Sequence, residues 1–216
     1  MKPTANNKTV YILLTRTDTL FSRFIANITG NEYTHAALSL DYELTQLYSF
    51  GRLYAYIPWI GCFKREETAA GVYKRFPDSP CALFELKVNE LSYDAINARI
   101  CEIARESSRY RYNVIGLFGN YINKPIRRER RYFCSEFVAD TLIRGDALRL
   151  RRDPALIRPS DFMEMVEFKR IYSGTLESLD EYIKQNECDN FKLKEELNKP
   201  LYTAVFNILR SRFKRA

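Results

Sequence analysis

"YFCSEFVADTL", residues 132–142, sets a cysteine where a helix is expected to begin. Phe137, Val138 and Leu142 recur at helical spacing, and Arg144 followed by Gly145 marks the stop. Cys134 therefore stands at the N-terminus of that helix, with Ser135 and Glu136 in its first turn. Unpaired N–H groups and the positive end of the helix dipole favour a thiolate at such a position. The alternative is core packing, since a free cysteine is by default a small buried hydrophobe. Which of the two holds decides the functional reading.

The segments around this helix read as a mixture of strands and helices. "KTVYILLTR" (8–16), "YTHAALSL" (33–40), "LTQLYSF" (44–50), "CALFELKV" (81–88) and "FKRIYSG" (168–174) read as strands, the second and third as a hairpin turned at "DYE". Helices are expected over 17–30, capped by Asp18 or Thr19, and over 89–109, where Leu91, Ile96, Ile100, Ile103 and Ala104 form one stripe. A short helix is expected within 110–122, and another at "RPSDFMEMVE" with Ser160 or Asp161 near its cap. The stretch 51–71, with its glycines and proline, reads as an aromatic-rich loop. Hairpins rather than regular βαβ alternation make the expected class α+β.

With 216 residues, 46% of them hydrophobic, the chain can bury one substantial core. The expected division is a domain over 1–174 and a polar, basic extension over 175–216. No run of apolar residues is long enough to span a bilayer, and the N-terminus lacks a signal-peptide layout, so the expected location is cytoplasmic. Five cysteines at irregular spacing, with no CxxC pair, argue against a zinc site or a disulfide framework, so no metal or cofactor is expected. The net charge of +7 favours anionic partners, but no nucleic-acid motif accompanies it and no nucleic acid is expected.

His35 is the single histidine of the chain. Alone on a strand, it reads as a structural residue. Paired with Cys134 it reads as a base, because an imidazole that takes a thiol proton creates the nucleophile. The other cysteines suit that role less well. Cys81 lies in or beside a strand, Cys101 is mid-helix, and Cys62 and Cys188 lie in irregular or polar stretches.

In the order "TLFSRFIANITGNEYTHAALSLD", then "YRYNVIGL", then "RYFCSEFVADTL", the chain resembles the NlpC-like papain superfamily in its circularly permuted branch. That branch holds permuted papain-like amidases and lecithin retinol acyltransferase-like proteins. The resemblance covers roughly residues 8–173 and leaves the tail outside. It implies a papain-like fold with an antiparallel sheet packed against a nucleophile-bearing helix, with His35 as general base and Cys134 as nucleophile. It also implies a polar residue on the strand after the histidine that orients the imidazole. "LTQLYSF" offers Ser49, favoured by strand parity, and Gln46 second. Neither is charged, which raises the alternative of an inactive papain-like binding module.

Tyr132 can supply a hydroxyl near the oxyanion or simply pack. The Cys134 backbone N–H is the more natural oxyanion donor. Tyr112 and Asn113 are further candidates for lining the site. The expected activity is hydrolysis of an amide, ester or thioester through an acyl-Cys134 intermediate, on a peptide, cell-wall fragment or lipid conjugate. The alternative enzyme is a lipid-directed acyltransferase or phospholipase. Two arginine clusters, "KPIRRERR" (124–131) and "RLRR" (149–152), flank the Cys134 helix as solvated faces or as an anion-steering surface. An apolar stripe at Leu201, Val205, Ile208, Leu209 and Phe213, set among basic residues, makes 199–216 a candidate membrane-surface segment.

Overall fold

The β-branched and aromatic run near the N-terminus forms the central strand β1 (Lys8–Thr15). On one side it pairs with β2 (His35–Ser39), and on the other with β5 (Pro80–Val88). The computed structural model describes residues 7–17, 32–54 and 57–186, without the side chains of 52–54 and 57–60. The helix expected at 17–30, apart from residue 17 itself, and the apolar stripe within 199–216 lie outside the described residues.

Strands β3 (Leu47–Tyr54) and β4 (Ile57–Glu66) extend the sheet beyond β2, and β8 (Lys169–Thr175) closes the other edge. Among the described residues the order is β4-β3-β2-β1-β5-β8, and every neighbouring pair is antiparallel. The fold class is therefore α+β. Strand β4 corrects the expectation of a loop over 51–71. Its register pairs Phe50 with Phe63 and Leu47 with Glu66, so this stretch is half of a long hairpin.

One face of the sheet carries Val10, Ile12, Leu14, Ala36, Leu38, Phe50 and Phe63, all buried. Period-two alternation puts these side chains on one side. Two helices cover them: α2 (Glu90–Arg105), capped by the Asn89 side chain accepting from the Ser92 N–H, and α4 (Cys134–Arg144). On α2 the buried stripe is Ile96, Ile100 and Ile103, whereas Leu91 is 83% exposed and Ala104 is exposed, so the expected stripe is narrower than the sequence suggested. The periodicity stays helical, but Leu91 falls in the first turn, ahead of the sheet contact.

Smaller elements frame α4. Helix α1 (Gly71–Arg75) follows β4, and α3 (Val114–Tyr121) begins at the Asn113 cap. The short parallel pair β6 (Arg111–Tyr112) and β7 (Arg131–Tyr132) leads straight into Cys134. The expected helix in "RPSDFMEMVE" is a 3-10 turn at Pro159–Met163, closed by the Arg158 N–H donating to Asp161 Oδ2 at 2.9 Å.

The chain divides into two compact units, 1–179 and 180–216. The first contains the sheet and all the candidate residues named below. Of the second, 180–186 is described and is helical. The boundary expected at 174–175 falls at the end of β8. Among the described residues, no helix is long and apolar enough to cross a membrane.

Candidate active site

Cys134 is the first residue of α4, and packing holds that helix start in place. The Phe137 ring lies 5.3 Å from Phe50 and 5.6 Å from Phe63, centroid to centroid, so the first turn is pinned to the β3–β4 hairpin. No side chain of residue 133 caps the helix. Instead the Glu136 carboxylate reaches back and accepts from the Phe133 N–H at 3.3 Å. The Cys134 side chain is 3% exposed and sits beside the backbone N–H groups of Ala36 and Ser135. These two donors belong to β2 and to the helix start, and both act to lower the thiol.

His35 opens β2 and stands beside the Cys134 thiol, near enough for each to shift the other's titration. Its Nε2 lies 3.2 Å from Glu66 Oε2, which leaves Nδ1 as the ring nitrogen for the thiol. The imidazole thus stands between a sulfur and a carboxylate. Its side chain keeps 22% exposure, so the pair is reachable from solvent at its imidazole side.

Glu66, the last residue of β4, is itself fully engaged. The Tyr73 hydroxyl donates to Oε2 at 2.6 Å, and Lys64 Nζ lies 2.9 Å from Oε1. A buried carboxylate stays charged only when paired and hydrogen-bonded, and Glu66 has both kinds of partner. Burial opposes its ionisation. The charges of His35 and Lys64, with the hydrogen bonds from His35 and Tyr73, overcome this and hold it well below the usual carboxylate range.

The same balance governs the other two members. Burial favours neutral His35, but the Glu66 charge and the hydrogen bonds with Cys134 and Glu66 win, and the imidazolium is pushed up to about 10. Burial would raise the Cys134 thiol. The hydrogen bond and charge of His35, with the Ala36 and Ser135 N–H groups, lower it from its ordinary value instead. Together these directions favour a thiolate–imidazolium pair at neutral pH. A thiolate and an imidazolium beside the Glu66 carboxylate and the Lys64 ammonium sum to zero charge, so forming the pair strands no ion.

The structure brings Cys134 and His35 together and corrects the identity of the third residue. Ser49 pairs with Lys64 across β3 and β4 and is fully buried, but its hydroxyl has no hydrogen-bond partner among the described residues. Gln46 lies exposed in the turn before β3, where its backbone N–H donates to Asp41 Oδ1 at 3.0 Å. The carboxylate of Glu66, from a later strand, occupies the position expected for either of them.

The candidate lining residues also have other duties. Asn113 is fully buried: its Oδ1 accepts from the Gly116 N–H at 3.0 Å, and its Nδ2 donates to the Ile126 carbonyl at 3.0 Å. Tyr112 is a core residue packed beside Gly61, where an added Cβ would come within 2.7 Å of it. The Tyr132 hydroxyl donates to Asp140 at 3.1 Å and accepts from Arg99 at 3.0 Å, so it serves the ion cluster on α4 rather than an oxyanion. Tyr121, at the end of α3, is a further residue that feels the charge at Cys134. Burial, then the charge at Cys134, pushes its phenol up to about 12, so it remains a neutral hydroxyl there. Its signal in the sequence, one tyrosine among 15, was too common to single out.

Among the described residues, no group of His, Cys, Asp or Glu side chains is arranged to hold a metal ion. No family model, no curated protein and no solved structure matches the chain.

Proposed function

We propose that the protein is a cysteine-dependent hydrolase of the permuted papain-like kind, acting on an amide, ester or thioester carbonyl. One observation carries this reading: His35 stands between the Cys134 thiol and the Glu66 carboxylate, at the N-terminus of a helix. The Cys134 sulfur adds to the carbonyl carbon, and the developing oxyanion meets backbone N–H groups at the helix start. The bond to the leaving amine or alcohol breaks as the imidazolium passes its proton to that group. Water then adds to the thioester while His35 takes its proton, and cleavage of the C–S bond returns the thiol. Glu66 orients the ring and stabilises its charged form throughout.

Amide hydrolysis of a peptide, cell-wall fragment or lipid conjugate is the leading subclass. A second reading, a lipid-directed acyltransferase or phospholipase, draws support from α3. There Ile115 and Phe118 on the helix and Ile122 just after it are exposed at helical spacing. The ground for an inactive binding module was an uncharged third residue, and Glu66 removes that ground.

Labelling with a thiol-directed electrophile at pH 7 tests the reading. Cys134 is expected to react at least about tenfold faster than exposed Cys101, which lies mid-helix on α2, and His35→Ala is expected to abolish the difference. Equal rates at the two thiols would remove the hydrolase proposal. If labelling is as expected, an acyl adduct on Cys134 trapped from phospholipid vesicles, but not from peptide amides, selects the lipid-directed reading.

A further inference from the structure

Glu136, Asp140 and Arg144 follow one another at i, i+4 and i+8 on α4, and Glu136 begins that row about 200° around the helix from Cys134. A pocket of about 360 Å³ opens on that side, between the helix and the turn 127–131. Its walls carry Arg127, Arg128, Arg130 and Arg131 from the turn, with Arg99 and Arg144 from the helices.

The acids of the pocket are already committed. Asp140 accepts from Arg144 at 2.8 Å and from the Tyr132 hydroxyl at 3.1 Å, and lies 3.9 Å from Arg99. Glu136 is turned inward onto the Phe133 N–H. Glu129 is exposed, and it reaches Arg130 only at 3.9 Å. The arginines are less well matched. Arg127 is held by Asp153 at 2.8 Å, but Arg130 has only contacts of 3.7 and 3.9 Å, to Glu106 and Glu129. Arg128 and Arg131 have no carboxylate within ion-pair distance among the described residues. Arg131 is moreover half-buried, where an unmatched guanidinium is costly.

These side chains stand on a fixed backbone. The Arg131 N–H donates to the Arg128 carbonyl at 3.1 Å, the Arg111 N–H donates to the Arg130 carbonyl at 3.0 Å, and Arg131 pairs with Arg111 in the β6–β7 ladder. Unmatched arginines lining one small pocket suit an oxyanion with several oxygens. A carboxylate is saturated by one fork, whereas a phosphate accepts from several.

We propose that this pocket binds a phosphate-bearing ligand through Arg128 and Arg131, at a site separate from Cys134. Because β7 runs directly into Cys134, and Glu136 links the pocket to the Phe133 backbone, the occupied pocket borders the helix start from behind. The inference does not depend on the thiol chemistry, since binding is read without turnover.

Calorimetry on the full chain with inorganic pyrophosphate, at ionic strength fixed with potassium chloride, tests it. One saturable site is expected, unchanged in Cys134→Ser and weakened at least about tenfold in Arg128→Ala/Arg131→Ala. Arg128→Glu, at an exposed position, is expected to weaken it as much and guards against a folding defect in the double variant. In a second arm, vesicles of phosphatidylcholine with and without phosphatidic acid show whether the phosphate can be a lipid headgroup. Binding to the phosphatidic acid vesicles that the same variants abolish supports the site and names that source. Absence of both pyrophosphate and vesicle binding overturns the proposal. So does binding that both variants leave intact, or tight binding of single-stranded RNA against which pyrophosphate does not compete.

Discussion

Glu66 makes the sharpest test at the scale of single residues. Glu66→Gln keeps the side chain's size but removes the charge that holds His35 protonated. Thiol reactivity is expected to fall by about 10- to 100-fold, and breaking a buried ion pair is expected to cost about 3 kcal/mol in urea denaturation. Ser49→Ala should do neither: it deletes a buried hydroxyl that has no partner among the described residues, so stability should hold or rise slightly. Loss of reactivity in Ser49→Ala with Glu66→Gln unaffected would reverse the assignment. The pH dependence follows from the same pair. His35 has a folded value of about 10 against 6.5 unfolded, so its contribution is fully present below about pH 6.5 and is lost as pH rises through 10. Glu66, depressed from 4.5, contributes above that value and loses its contribution as pH falls through its lowered folded value. In Cys134→Ser the thiol no longer titrates and its share in raising His35 is lost, so the decline of stability above pH 6.5 expected in urea denaturation reports the Glu66 contribution. A flat profile between pH 6 and 9 would mean that Glu66 does not hold the imidazolium.

At the scale of elements, the docking of α4 rests on aromatic packing. Phe137→Ala empties a fully buried site between Phe50 and Phe63 and is expected to cost about 3–5 kcal/mol, with thiol reactivity lost as the helix start loosens. A reactive thiol in a destabilised but folded variant would show that the helix start is held by other contacts. The helix itself was legible, because Phe137, Val138 and Leu142 repeat at its period and Gly145 ends it. The β1, β2 and β5 strands were legible as β-branched and aromatic runs. Strand β4 was not. "IPWIGCFKRE" contains a proline and a glycine and lacks clean alternation, so it carries the marks of a loop, and Glu66 at its end drew no attention as a partner for His35. What makes β4 a strand is pairing with β3, a tertiary fact that local propensity does not contain. Gly51 shows the same dependence. A Cβ there would come within 2.6 Å of Lys64 Cε, so this glycine makes room for the cation beside Glu66, a role no turn signal announces.

At the scale of the whole molecule, the site draws its three members from distant parts of the chain: His35 on β2, Glu66 on β4 and Cys134 on α4. No local segment contains two of them, so the influence of His35 on the thiol exists only in the assembled sheet with its docked helix. In the unfolded chain Cys134 is an ordinary thiol, protonated at neutral pH. On the proposed function, nucleophilicity is a property the molecule acquires on completing its long-range contacts, and a nascent or misfolded chain is chemically quiet. Pulse alkylation during refolding should register this as a clock. Cys134 labelling is expected to accelerate only in step with the slowest phase of tertiary folding, after helix formation seen by far-ultraviolet circular dichroism. Acceleration already complete with the helical signal would mean that the helix start alone activates the sulfur. On the expected result, the sequence separation that hid the third member from inspection also keeps a reactive sulfur harmless until the protein is finished.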